Sequence, residues 1–332
     1  TVNEAGAAPT RGSQTFNTQL DPAEWSFSAY ARSYLDPDGA TQAVEGILWA
    51  ALASNENPET AATTEGMGST SPNSVAAKST THFEAAFDTS DAHELVKLNL
   101  FFQVDGIWYV IKDCQVNQAE IDFAIDGIAM ITWSGQGTQV LEIATANVST
   151  LAPSGAGESP GTAYASRAVG GDYLMVSPTA TYIKNKLSTM SLVAQSGQDD
   201  VGTVSYAINI TGGNLTINNN ITYLTPETLS VVDVPIGSFT GSRQVSGSLT
   251  CYLNSGALGS AKLLANLSAN TSTTNRYALT LNIGGPTGPA LVLEMPTTQL
   301  SVPVIDVQDV LGVNIDFAAQ GSAGLSSTDE LV

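Results

Sequence analysis

Carboxylates at a two-residue spacing are the feature of this sequence with the clearest chemical potential. In VNQAEIDFAIDGIAMITWSGQG (116–137), Glu120, Asp122 and Asp126 fall on one side of an extended chain. Ile121, Phe123 and Ile125 fall on the other, because successive side chains of a strand point to opposite faces. Two neighbouring carboxyls can act as general acid and general base. On one strand face the same pair reads more simply as a solvated edge or lining. The two histidines, His82 and His93, stand among Glu84, Asp88, Asp91 and Glu94. Their spacing fits no zinc pattern and no cysteine is near, so a solvated loop is expected there and not a metal. The D-P-D-G at 36–39 resembles the start of a calcium loop but lacks the later ligands, so a turn is expected. The one G-x-S-x-G, Gly157-Glu158-Ser159-Pro160-Gly161, lies in a Gly/Ser/Pro-rich linker stretch and not at a strand-to-helix turn, so no nucleophile elbow is expected, and there is no G-x-x-x-x-G-K loop and no dinucleotide fingerprint. Cys114 and Cys251 lie inside the apolar runs YVIKDCQV and SLTCYL. Two small buried hydrophobes are expected there, ahead of a disulfide or a reactive thiol. The inventory argues against an enzyme and calls for no cofactor.

Charge narrows the class of partner. The chain of 332 residues carries 31 Asp+Glu against 11 Lys+Arg, a net charge of −20, although only 13% of residues are charged. Such a surface does not grip nucleic-acid phosphates, which bind Lys and Arg, and it avoids anionic membranes. Copies of it repel one another, so any assembly relies on apolar or hydrogen-bonded contacts and is favoured by salt. No basic stretch with an apolar core follows Thr1, and the apolar runs are too short to span a bilayer. Neither a signal peptide nor a membrane span is expected, and synthesis is expected in a reducing cytoplasm.

The elements that carry these residues occur twice. WSFSAYARSYLDPDGATQAVEGILWAALASN (25–55) reads as strand, turn and helix, with Thr41 as the expected N-cap and Val44, Ile47, Leu48 and Leu52 as an apolar stripe. In VSGSLTCYLNSGALGSAKLLANLSAN (245–270), Ser246, Gly247 and Ser248 stand where Ser26, Phe27 and Ser28 stand in the earlier stretch, and Leu263, Leu264 and Leu267 repeat the stripe. KLNLFFQVDGIWYVI (97–111) and ALTLNIGGPTGPALVLEM (278–295) each read as a hairpin. Beyond the hairpins a second constant offset holds. In it Ile121 meets Ile305, Asp122 meets Asp306, Ile131 meets Ile315, Trp133 meets Phe317 and Gln136 meets Gln320. This offset is shorter than the first because the first copy carries an insertion at 55–94, rich in Ser, Thr, Ala and Gly, that reads as a long surface loop. The expected organisation is a first β domain over 1–145, a linker over 146–178 and a second β domain over 179–332. The expected fold is mainly β with minor α+β character: two β-sandwiches or half-barrels, each with one flanking helix.

Three stretches together carry a family resemblance: VNQAEIDFAIDGIAMITWSGQG (116–137), TYIKNKLSTMSL (181–192) and PIGSFTGSRQVSGSLTCYL (235–253). They resemble the major tail tube proteins of long-tailed bacteriophages. The resemblance covers most of the chain and weakens over 55–94 and 146–175. It implies a β-sandwich with a flanking helix, whose long strands join those of neighbouring subunits in an inner β-barrel. It implies rings that stack into a hollow tube conducting the genome. The implied partners are further copies of the chain, a tape measure protein, a tail terminator and baseplate or tip proteins. DNA would pass without specific binding, no membrane is involved, and the protein would reside in the virion after synthesis in the bacterial cytoplasm.

Within that resemblance the acids acquire a purpose. Duplex DNA carries one negative charge per ~1.7 Å, so a basic wall would hold it and an acidic wall would let it slide. Glu120, Asp122 and Asp126, with Asp306 and Asp309 of the second copy, are the expected lumen-lining acids. The copies are not alike here, since Glu120 meets Val304 and Ile125 meets Asp309. Asp126-Gly127 also reads as a hairpin tip or bulge, which would change the inward set. The insertion, with Asn55, Glu56, Asn57, Glu59 and His82, and the tail at 323–332, with Glu330, Leu331 and Val332, are candidate arms to the next ring. A duplicated chain would close a pseudo-six-fold ring with three copies, and a hexamer lined by one copy is the other arrangement. Lys184, Lys186 and Arg243 would pair with acids of a neighbouring copy or stand exposed. A soluble carbohydrate-binding or adhesive β-sandwich is the alternative function. It would call for a secretion signal and clustered surface aromatics, and neither is evident. A hydrolase would need a nucleophile and base that are not seen.

Overall fold

Period-two alternation becomes strand along most of the described residues. The computed structural model describes residues 21–35, 41–53, 76–78, 83–85, 95–105, 107–143, 181–195, 203–225, 235–269, 275–285, 288–307 and 311–320. The first strand, β1 (Ala23–Tyr30), buries Trp25 and exposes Ser26 and Ser28. Two short strands, β2 (Arg32–Leu35) and β3 (Thr41–Ala43), pair with each other before helix α1 (Gly46–Ala53). Within the insertion, β4 (Ala76–Lys78) and β5 (Phe83–Ala85) form a small hairpin. Next come β6 (Leu98–Val104) and the long β7 (Ile107–Ala124), joined through Asp105 in the left-handed region at φ 50. β8 (Met130–Gly137) and β9 (Val140–Ile143) return along β7.

The later chain repeats the hairpin habit. It forms β10 (Thr181–Tyr182), β11 (Thr189–Ala194), β12 (Ile210–Asn218), β13 (Ile221–Leu224), β14 (Gly237–Thr240) and β15 (Gln244–Tyr252). Helix α2 (Ser260–Ala269) follows, then β16 (Tyr277–Ile283), β17 (Leu291–Leu300), β18 (Val304–Val307) and β19 (Leu311–Ala319). Twelve strands make one sheet in the order β1-β8-β7-β12-β15-β19-β17-β16-β11, with β18 beside β19, and β6 and β9 beside β7. All its pairings are antiparallel. Both halves of the chain therefore share this sheet, joined where β12 lies between β7 and β15.

β7 serves two neighbourhoods because it bends. Asp113 takes a left-handed φ of 50, and the Tyr223 hydroxyl donates to its carbonyl at 2.6 Å. Up to Cys114 β7 pairs with β6 and β9, and from Gln115 onward with β8 and β12. The second half lays out the same span as two strands, β17 and β18. In the offset that matches Ile121 with Ile305, the part of β7 from Ile107 to Val116 falls on β17, and the part from Glu120 to Phe123 falls on β18. Pro303 lies in the gap, where a residue without an amide hydrogen cannot donate to a ladder.

Registers allow a closer comparison of the halves. Ser26, Phe27 and Ser28 of β1 face Ser134, Trp133 and Thr132 of β8. Ser246, Gly247 and Ser248 of β15 face Ala318, Phe317 and Asp316 of β19. Both strands of the pair thus keep the offsets found in the sequence. The hairpins differ: Ile121 faces Ile131, whereas Ile305 faces Val313 and not Ile315. A slip of two residues leaves every side chain on its own face.

One apolar core lies behind the sheet. Trp133, Ile121, Leu215, Leu249, Leu279 and Leu281 are fully buried in it. α1 covers it with Trp49, whose ring meets Trp133 edge-on at 4.9 Å, and with Leu52. α2 contributes Leu263 and Leu267, and its Asn266 amide donates to the Tyr206 hydroxyl at 2.9 Å. Among the described residues the fold is mainly β, with α1 and α2 as flanking elements, in line with the sequence. The start of α1 differs from expectation. Pairing with β2 draws Thr41 into β3, so it is not the cap. The Glu45 carbonyl instead accepts the amides of Leu48 and Trp49 at 2.9 and 3.1 Å, and Val44 is exposed. Glu45 itself is buried beside Arg32, 3.9 Å away, and burial pushes its carboxyl up to about 7. Cys114 and Cys251 are buried free thiols, as expected, and burial raises them to about 12 and about 11.

Candidate functional site

The face of the sheet opposite the core is built in rows. Antiparallel pairing places partner residues side by side across strands, so a polar residue on every second position produces polar rows. Ser28, Thr132, Glu120, Thr216, Ser246 and Ala318 follow one another across β1, β8, β7, β12, β15 and β19. The adjacent row runs Tyr30, Met130, Asp122, Asn214, Ser248 and Asp316. The residues between these positions, such as Trp133, Ile121, Leu215, Leu249 and Phe317, point into the core.

Hydroxyls and amides on this face bind one another. Ser28 and Thr132 hydroxyls lie 2.9 Å apart. The Asn214 side-chain Oδ1 accepts the Ser248 backbone amide at 3.0 Å and the Ser248 hydroxyl at 3.3 Å. The Asn314 amide donates to the Asp316 carboxylate at 3.4 Å. Along the six strands of these rows, beyond the bend in β7, the charged residues are Glu24, Glu120, Asp122 and Asp316. Of these six strands only β7 holds a base, Lys112, and it lies before the bend. Asp122 and Asp316 are three strand spacings apart, about 14 Å, beyond the roughly 8 Å over which charges in physiological salt feel each other strongly. Glu120 and Asp122, two residues apart on β7 and so about 7 Å from each other, lie within that range, and the face is acidic overall, with one close pair of carboxylates set among neutral hydrogen-bonding groups. It can exclude anions and offers no point charge to hold them.

The expected acids separate into three groups. Glu120 and Asp122 share the polar face, as the alternation required. Asp126 is exposed on the turn between β7 and β8, at the end of the sheet. That turn is fixed by Asn185, whose side-chain amide donates to the Ala124 carbonyl at 3.0 Å and whose backbone amide donates to the Gly127 carbonyl at 3.1 Å. Asp306 pairs through its backbone with Gly312 in the β18–β19 hairpin. Asp309 lies outside the described residues, as do Asn55, Glu56, Asn57, Glu59, His82, Glu330, Leu331 and Val332. Asp316 and Glu24 are acids of this face that were not among those expected. The run V-N-I-D-F at 313–317 carried the signal for Asp316, because its alternation matches that of 119–123. Lys184 and Lys186 are exposed. Arg243 does not stand exposed: it is half-buried and donates to the Ala53 carbonyl at 2.8 Å. Among the described residues no cluster of three metal-ligating side chains occurs, and no helix is long and apolar enough to cross a membrane.

Comparison with known proteins identifies the family. Residues 4–319 match the family described as phage tail tube protein. The chain is 38% identical over 323 residues to the tail tube protein pb6 of Escherichia phage T5. That match covers 96% of this chain and 63% of the T5 protein, so the chain spans just under two thirds of its relative's length.

Proposed function

The chain belongs to the phage tail tube protein family, and from that premise we propose that its copies stack as rings into a hollow tail tube with the polar face of the sheet turned to the bore. As a tail tube protein it is a structural component of the phage virion. Double-stranded DNA passes along the bore during ejection without specific binding. The observation that carries this reading is the pair of polar rows crossing six strands, which present acids and hydroxyls and no base. DNA at one charge per ~1.7 Å would be held by lysines and arginines and is kept off by carboxylates. Glu120, Asp122 and Asp316 face the bore, Asp126 stands at its rim, and Asp306 and Asp309 line it in the second half.

The two halves are copies of one module, 1–145 and 179–332, joined by a linker at 146–178. The matching β1–β8 and β15–β19 registers support this, and so does the common offset of β7 from β17 and β18. Three chains then supply six modules, and the ring has pseudo-six-fold symmetry. The insertion at 55–94 and the tail at 323–332 reach the neighbouring ring. The tape measure protein, the tail terminator and the baseplate or tip proteins complete the list of partners. Cryo-electron microscopy of tubes assembled from the full chain tests the reading. Three chains per ring with Glu120 and Asp122 on the inner wall is the expected map. A chain that stays monomeric, or tubes with these acids outside, would refute it.

A further inference from the structure

We propose that Arg243 and Asn219 form a latch that fixes the first half's helix to the second half, and that this latch, added to the β7–β12 ladder, lets the chain enter a ring as one rigid unit. The proposal rests on the tube reading above. The last carbonyls of a helix have no donor within the helix, and they form its partially negative end. At α1 both donors come from the second half of the chain. The Ala53 carbonyl accepts an Arg243 Nη at 2.8 Å, and the Leu52 carbonyl accepts the Asn219 side-chain amide at 2.9 Å. The two side chains also bind each other, with Arg243 Nε donating to Asn219 Oδ1 at 2.8 Å. The Asn219 amide lies 3.3 Å from the Val116 carbonyl of β7 as well. Asn219 is 2% exposed, so its bonds to the Leu52 and Val116 carbonyls are made away from water, while Arg243 is half-buried.

The latch is separate from the strand ladder. Asn219 follows β12 and Arg243 precedes β15, so removing either side chain leaves the β7–β12–β15 pairings in place. The two halves also differ here. In the offset that matches Ser246 with Ser26, the counterpart of Arg243 is Ala23, which has no side-chain donor. A joint between chains built on the same module contact would therefore lack this arginine. The joint inside a chain is set before assembly and the joint between chains forms by docking. Fixing one of every two joints in advance reduces the freedom that ring closure must remove.

Arg243→Ala and Arg243→Lys in the full chain test this by amide hydrogen exchange of the unassembled protein and by tube yield on sedimentation and negative staining. For Arg243→Ala, α1 amides should exchange at least tenfold faster while those of β16 and β17 are unchanged, and tube yield should fall at least tenfold. Arg243→Lys keeps the charge and loses the fork, so it should lie between. Tubes at the parent yield, or exchange that rises equally in both halves, would overturn the latch. If the alanine variant does not fold, the lysine variant is judged by the same two readouts. Failure of the parent to form tubes would count against the tube reading, and the exchange comparison would still judge the latch.

Discussion

β7 and the pair β17–β18 occupy matching places in the two halves and share the alternation of their side chains, yet one is a continuous strand and the other is split. The difference traces to position 119 against position 303. Ala119 is fully buried and lies between Trp133 of β8 and Ile217 of β12, so both its flanks are paired. Pro303 has no amide hydrogen, and the chain detours from Ser301 to Pro303. The Ser301 amide is turned to the Asp316 carbonyl at 2.9 Å. A sheet tolerates proline where a strand has ended and excludes it where ladders run on both sides. The first half therefore supplies the more continuous part of the polar face.

Exchanging the two residues should break this contrast most severely. Ala119→Pro should cost about 3 kcal/mol or more, read as a lowered urea midpoint or loss of soluble protein. Pro303→Ala should change stability by less than about 1 kcal/mol. Equal tolerance at both positions would show that the continuity of β7 does not matter.

A second contrast is Gly247 against Phe27, its counterpart in the first half. A methyl group on Gly247 would sit 2.2 Å from the Asn214 carbonyl oxygen and 2.7 Å from the Phe317 ring. Phe27, in contrast, is 37% exposed on an outer strand of the sheet. Gly247→Ala should destabilise by about 1–3 kcal/mol through overpacking, and Phe27→Ala by less. Thermal melts of the two variants side by side would settle the order.

The helices give a pH-dependent contrast. Burial raises the Glu45 carboxyl from 4.5 to about 7, partly offset by a backbone hydrogen bond and by Arg32. Its counterpart in the second half is Ala265, which does not titrate. A carboxyl raised in the folded state binds its proton more tightly there than in the unfolded chain. Its stabilising contribution is full below 4.5 and is lost as pH rises through 7. Glu45→Gln should remove that loss, so the variant should gain on the parent between about pH 5 and pH 8, by up to roughly 3 kcal/mol. Urea midpoints at the two pH values measure it, and a gain in the opposite direction would contradict the burial of this carboxyl.

The smallest effect on stability belongs to the polar face. Asp122 and Asp316 are exposed, so changing both to arginine should shift stability by no more than about 0.5 kcal/mol. Tubes of the double variant should retain duplex DNA at low salt and release it as salt rises, whereas parent tubes should not retain it. Equal indifference to DNA would sever this face from the bore.

Much of the polar face was legible in the sequence, because alternation is a local property. Glu120 and Asp122 could be placed on one side of a strand from their spacing alone. Asp316 was equally legible from its own alternation, but the offset that pairs Asp122 with Asp306 points to the preceding strand instead. The helix at 46–53 was legible in kind but not in its start, since Thr41 is a good cap by residue type and is claimed by β2. Arg243 could not be placed at all. Nothing in G-S-R-Q-V names a helix end so distant along the chain.

The sequence by itself determined the strands, the hairpins and the two-faced character of each, because side chains of an extended chain alternate whatever surrounds them. Only the tertiary structure decided which strands are neighbours, that β12 bridges the two halves, and that single polar residues line up as rows. Those outcomes depend on register, and register is fixed when apolar faces from distant parts of the chain pack on a common core.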